Sequence, residues 1–355
     1  MHLAGYRLYI LAVGTGVAAL GLICAGLAFV LQPLTGDLTR LGGYAENEFG
    51  WNGYMMRYEP PLIAAGALSR AYDVVVVGDS FSLPVESTPD SPPDDRNHWT
   101  DYFAAMTGSA VGAFNRDRIS LETFLSSKSF LTMPPKLLVV EYAERTLQWA
   151  PVDGKPQCVT LGPARTSSLN ITPKTEQPVR YTRDHSHAVS TERIDEAVDF
   201  LTKNLPRWTV GVNTTPVSRY ALSRGGLFTS NDDTELLVFD DDLIKATLSE
   251  DYLRSLGCYF TQLQSRIESN HHTKFVLMIA PDRTTAYGDF LPTLHLPNLT
   301  ERLAQVQGLN IIRLDEVIKA LISSGTKDVY YPSDTHWAPA GMAAAAEALI
   351  RFTVP

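Results

Sequence analysis

Cysteine is scarce in this sequence: three residues in a chain of 355. No cysteine cluster stands at zinc-ligand spacing, so neither a metal site nor any other cofactor is expected. No internal repeat is evident, which excludes a solenoid or propeller. A basic excess is missing too, with 30 Lys and Arg against 39 Asp and Glu and a net charge of −9. Phosphate backbones require a basic face, so nucleic acid is not an expected partner. Charge is absent altogether from Leu8 to Leu31, about the 20 apolar residues that a spanning helix needs. That run exceeds the apolar core of a cleaved signal peptide, and no A-x-A site follows it. Bulky Ile23 before Cys24 does not suit a lipoprotein either. The expectation is an uncleaved membrane anchor over residues 1–33. Arg7 lies on its cytoplasmic side, which leaves everything after Pro33 outside.

What is present beyond the anchor is an α/β rhythm. Residues 34–71 read as a juxtamembrane segment, with a Gly- and aromatic-rich linker of some order from Gly36 to Pro61. Tyr72–Val77 is a short β-branched run stopped by Gly78, the pattern of a strand buried on both faces. A polar Pro84–Asp95 loop follows. Trp99, Tyr102, Phe103 and Met106 then fall on one helical face. A second strand is expected near Ser109–Phe114, a helix near Leu121, and a third strand at Lys136–Tyr142. From about 150 to 242 the periodicity lapses, too long for an ordinary loop, and an insertion or cap with some structure of its own is expected. The rhythm resumes with a helix at Leu248–Glu268, strands at Phe275–Ile279 and Asn310–Leu314, and helices near Leu299–Val306, Asp315–Ile322 and Ala338–Phe352. Alternating strands and helices predict a three-layer α/β/α domain over 72–355, built on a parallel sheet.

Two stretches carry chemistry. In Val74–Ser82, "VVVVGDSFS", Ser80 stands just past a strand's C-terminal end, where open α/β sheets keep their sites. In Tyr330–Gly341, "YYPSDTHWAPAG", Asp334 and His336 are two residues apart before a helix. That spacing lets a carboxylate reach one ring nitrogen while the other takes a proton from a hydroxyl. Serine needs such a base, and the base needs an orienter to fix its tautomer. Ser80, His336 and Asp334 are therefore the candidate nucleophile, base and orienter. Ser82 is the competing serine but sits farther from the strand. His98, His185, His187, His271 and His272 lie in polar stretches and read as solvated. An oxidising compartment would permit a disulfide between Cys158 and Cys258, although spacing does not show that they meet.

Gly78-Asp79-Ser80-Phe81 resembles the nucleophile block of the SGNH/GDSL hydrolase superfamily. Asp334-Thr335-His336-Trp337, with Gly341 after it, is similar to the alginate O-acetyltransferase group of that superfamily, the AlgX/AlgJ-like proteins. Two more segments are similar to strands of that family. "PPKLLVVEYAER" brings Glu141 and Arg145, and "LMIAPDRTTAYGDFL" covers Leu277–Leu291. The serine block comes first here, as in ordinary SGNH enzymes. The resemblance implies an SGNH-type fold and an acyl-Ser80 mechanism. The oxyanion would be held by the Ser80 N–H and by Asn115, the nearest candidate for the family's asparagine. Asp79, Glu141, Arg145, Tyr331 and Trp337 would support the site or the substrate, the two aromatics as a sugar platform or as plain packing. The expected activity is O-acetylation of an exported polysaccharide, alginate, cellulose or another. The alternatives are a carbohydrate acetyl esterase and a non-catalytic assembly subunit. Expected partners are the polysaccharide acceptor, a membrane-bound O-acyltransferase of the MBOAT type as acyl supplier, a polysaccharide synthase and export complex, and the membrane. The implied location is the bacterial inner membrane, crossed once, with the catalytic domain in the periplasm.

Overall fold

A computed structural model describes residues 3–30, 34–58, 61–65, 71–84, 97–152, 179–181 and 191–353. In chain order the first elements are helices α1 (Leu3–Val30), α2 (Asp37–Gly42) and α3 (Glu46–Phe49), then strands β1 (Met55–Arg57), β2 (Ala64–Ala65) and β3 (Val74–Gly78). Next come α4 (Trp99–Thr107), β4 (Val111–Asn115), α5 (Leu121–Leu125), α6 (Lys128–Thr132) and β5 (Leu137–Ala143). The middle of the chain holds β6 (Val179–Tyr181), α7 (Thr191–Val210), β7 (Val217–Ala221) and β8 (Glu235–Phe239). The last part holds α8 (Glu250–Glu268), β9 (Lys274–Ala280), α9 (Arg283–Ala286), α10 (Leu299–Ala304), β10 (Ile311–Ile312), α11 (Leu314–Ser323) and α12 (Pro339–Thr353).

The central sheet has the order β10-β9-β5-β3-β4-β2, and each pairing is parallel. The two-residue β2 only edges it. The valine run explains why β3 lies inside. Val74 and Val76 pack with α4, α11 and α12 on one face. Val75 and Val77 pack with α5, α6 and α8 on the other. Alternate residues point to opposite faces of a strand, so a continuous apolar run suits only a sheet covered on both sides. The expected α/β/α layering is what the chain adopts, with strand ends shifted by a residue or two. α1 is exposed from Tyr6 to Leu27, a segment long and apolar enough to cross a membrane.

Two regions hold elements that the sequence periodicity does not locate. The segment after α1 holds α2 and α3, which pack with the β7-β8 hairpin around Leu38, Tyr44, Phe49, Val217 and Leu237. Gly36 is needed there, since a Cβ would lie 2.0 Å from the Ser333 carbonyl oxygen. The 150–242 stretch holds the 20-residue helix α7 and that hairpin. Charged residues and Pro206 obscure the helical period of α7. Cys258 is buried and disulfide-bonded, whereas Cys158, His185 and His187 lie outside the described residues.

Candidate active site

β3 ends at Gly78, and Asp79 and Ser80 turn away from the C-terminal edge of the sheet. A Cβ on Gly78 would sit 2.6 Å from Ser82 Oγ and 2.7 Å from Glu141 Oε2, so only glycine admits this turn. Glu141, on β5, accepts a hydrogen bond from the Asp79 N–H at 2.9 Å and another from Ser82 Oγ at 3.0 Å. Trp99 Nε1 donates to Ser82 Oγ at 3.0 Å. Ser82 is thus fully buried with its hydroxyl committed on both sides, and it cannot present a nucleophile. Asp79 accepts from the Phe81 and Ala143 N–H groups and lies 3.4 Å from Arg116. Burial alone would raise its pKa, but Arg116 and those N–H groups hold it below the ordinary carboxylate value. Glu141 is pushed well above its ordinary value, by burial first and then by the neighbouring Asp79 charge.

The loop before α12 supplies the other half. His336 Nε2 lies 2.6 Å from Ser80 Oγ, and His336 Nδ1 lies 2.5 Å from Asp334 Oδ1. The His336 N–H also donates to Asp334 Oδ1 at 3.0 Å, which closes the two-residue spacing into a tight turn. With Nδ1–H donated to the carboxylate, Nε2 is the lone-pair nitrogen that faces the serine. The ring leans on Phe81 at 4.9 Å between centroids. Ser80, Phe81, His98, His336, Trp337 and Met342 line the depression above.

Several residues play parts that sequence spacing does not reveal. Asp37, the first residue of α2, accepts from Thr335 N at 2.8 Å and Thr335 Oγ1 at 2.5 Å. Its carboxylate lies 3.9 Å from His336 Nδ1. Burial and then repulsion from Asp334 raise the Asp37 pKa, and His336 and Thr335 offset only part of that. Arg283 is buried, and its Nη1 donates to the Pro332 carbonyl at 3.0 Å, bracing the same loop. Below it Lys245 donates to Glu144 Oε2 at 2.9 Å and to Thr285 Oγ1 at 2.6 Å. Glu144 further accepts from the Asp282 and Leu299 N–H groups. This buried network ties β5 to the chain after β9, so the two halves of the site share one support. His98 is not solvated: it is buried ahead of α4 and borders the depression. His271 and His272 are exposed, as expected of solvated rings.

The supporting residues sort by position. Asn115 ends β4 in register with Gly78, and its side-chain oxygen accepts from the Asp117 N–H at 2.8 Å. Arg145 sits 3.5 Å from Asp282 and 3.7 Å from Asp242. Trp337 has no exposed surface and packs on Phe81, while buried Tyr331 meets Trp51 edge-on. Neither aromatic offers a free face, so packing replaces the sugar-platform role. Trp149, after β5, is the large aromatic exposed past that strand's end. Asp37, Asp334 and His336 could also meet a cation by distance, but the hydrogen bonds already made occupy them.

A parallel sheet covered by helices on both faces carries the site at its C-terminal edge, with a Gly-Asp-Ser turn leaving the end of an interior strand, and the last third of the chain is similar to an SGNH hydrolase-like domain. Residues 239–353 match the family described as SGNH hydrolase-like domain, acetyltransferase AlgX. The matched stretch contains Asp334 and His336 and begins well after Ser80. Comparison with curated proteins and with solved structures gave no match.

Proposed function

We propose that this protein is a membrane-anchored O-acetyltransferase that acetylates an exported polysaccharide through an acyl-Ser80 intermediate. The observation that carries the reading is the relay from Ser80 Oγ through His336 to Asp334, at 2.6 Å and 2.5 Å, beside an AlgX-type domain. His336 Nε2 takes the Ser80 proton as Oγ attacks the acyl carbonyl. Asp334 and Asp37 both face the imidazolium that forms. The tetrahedral oxyanion points at the Ser80 N–H and the Asn115 side-chain amide. Collapse expels the donor's alcohol, protonated by His336. A sugar hydroxyl, deprotonated in turn by His336, then attacks acyl-Ser80; the acyl–Oγ bond breaks, Ser80 Oγ takes the proton back from His336, and the sugar leaves as its acetyl ester. Water in place of the sugar gives the esterase reaction.

The anchor supports placing the catalytic domain on the periplasmic face of a bacterial inner membrane. There the donor would be a membrane-bound O-acyltransferase of the MBOAT type, and the acceptor would emerge from a polysaccharide synthase and export complex. Positioned hydroxyls reach effective molarities of about 10⁵ M or more, enough to outcompete water at about 55 M. The test supplies an activated acetyl ester with neutral β-glucan or uronate oligomers. Acetylated sugar formed at the expense of acetate supports the transferase. Acetate release that no oligomer diverts, together with deacetylation of an acetylated polymer, supports the esterase.

A further inference from the structure

α7 presents an apolar stripe that nothing in the described fold covers. Ile194, Val198, Leu201, Leu205 and Trp208 are each more than 40% exposed. At 100° per residue these five positions fall within an arc of about 80° on one side of the helix. The adjoining arc, with Ala197, Phe200 and Asn204, is buried against the domain. α7 is therefore docked by one side and bare on the next. Val210 and Val212 extend the bare surface past its end.

The place of α7 says what covers it. Its docked side grips the chain that has just left α1. Lys203 Nζ donates to the Arg40 carbonyl, Asn204 Nδ2 to the Gly43 carbonyl, and Arg207 Nη2 to the Gly42 carbonyl. Only seven residue steps separate Val30, the last residue of α1, from Asp37, a reach of about 25 Å at most. Cα atoms of α1 and α7 come within 8 Å of one another. If α1 spans a bilayer, α7 is held at that bilayer's surface.

We propose that α7 lies in the interface of the membrane that α1 crosses, with its stripe sunk among the acyl chains and Trp208 at the headgroup level. The proposal rests on the reading of α1 as an anchor. The helix carries four acidic and three basic residues, and Lys203 and Arg207 are engaged within the protein. Apolar burial, not attraction to anionic lipid, supplies the adhesion. It follows that salt does not release it.

The full chain carrying Cys24→Ser and one new cysteine, labelled with an environment-sensitive fluorophore, is reconstituted into phosphatidylethanolamine/phosphatidylglycerol vesicles containing nitroxide lipids. Labels at Leu201→Cys and Leu205→Cys should lose fluorescence to the nitroxide lipids, as a label at Leu20→Cys in α1 does. A label at Asp195→Cys, away from the stripe, should keep its fluorescence. The loss should persist from about 0.1 to about 1 M salt, although the Debye length falls from about 10 Å to about 3 Å. Quenching at 20 without quenching at 201 and 205 overturns the proposal and leaves the anchor standing. Quenching at 201 and 205 without quenching at 20 supports the surface helix and overturns the anchor. Shielding of 201 and 205 from an aqueous quencher without lipid quenching shows that protein covers the stripe, and overturns the proposal.

Discussion

Two serines stand two residues apart, and the structure gives them opposite fates on mutation. Ser82→Ala removes a buried hydroxyl that donates to Glu141 Oε2 and accepts from Trp99 Nε1. The indole N–H is left buried without a partner, at about 1–3 kcal/mol, and one hydrogen bond of about 1 kcal/mol is lost. The expected destabilisation is about 2–4 kcal/mol. Turnover should stay within about tenfold, because the relay from His336 to Ser80 is untouched. Ser80→Ala removes a partly exposed hydroxyl whose bonded partner, His336, keeps Asp334. Stability should move by about 1 kcal/mol or less, while turnover falls by about 10⁴-fold or more. Urea unfolding of the two variants, beside hydrolysis of an activated acetyl ester, gives both readouts. Retained turnover in Ser80→Ala would refute the reasoning. So would a Ser82→Ala protein that is inactive yet as stable as the parent.

Four more expectations follow from named contacts. Asp334→Ala should lose about 10⁴-fold in kcat and His336→Ala more, because an orienter contributes less than the base it serves. Asp37→Ala should lower kcat about tenfold with KM unchanged, through release of Thr335 and loss of a charge 3.9 Å from His336; an unchanged kcat would deny Asp37 any positioning part. Gly78→Ala should destabilise by about 1–3 kcal/mol through its clash with Ser82 and Glu141, read as a lowered Tm. Asp242 is buried, accepts no hydrogen bond among the described residues, and burial outweighs Arg145 and Lys245 to raise its pKa from 3.8 to about 6. As pH rises from 3.8 to about 6, the unfolded chain releases this proton before the folded one does. Folding therefore loses about 3 kcal/mol across that window. Asp242→Asn cannot ionise, so it should match the parent near pH 4 and exceed it by about 3 kcal/mol at pH 7; equal urea midpoints at pH 7 would contradict this.

The sheet was legible because its signal is local. The valine run closed by glycine in β3 has few folded solutions, and the short continuous apolar runs of β5 and β9 are nearly as plain. Asp334 and His336 could be paired on paper because two residues in a turn cannot escape each other. Asp37 could not be read this way. It reaches Thr335 across 298 positions, and nothing near it in sequence marks the contact. His98 sits after a polar loop, which disguises its burial beside the Ser80 turn. Lys245, Glu144 and Asp282 look like surface charges in the sequence; only their convergence from three distant segments makes them an interior network. The β7-β8 hairpin was obscured by Arg219, Glu235 and neighbouring polar residues on its exposed face.

The bond between Asp37 and Thr335 makes the boundary between the apolar helix α1 and the α/β domain hard to draw with a pair of scissors. Leu38 and Thr39 also hydrogen-bond to the Ser333 carbonyl, and Gly36 touches it. A version without α1 must therefore be cut ahead of Gly36. A fragment trimmed to the start of β3 would carry the serine, the histidine and its carboxylate, yet lose the clamp on the loop that presents two of them. Such a fragment should be a loose catalyst with intact parts, and adding the missing strip back as a peptide should tighten it.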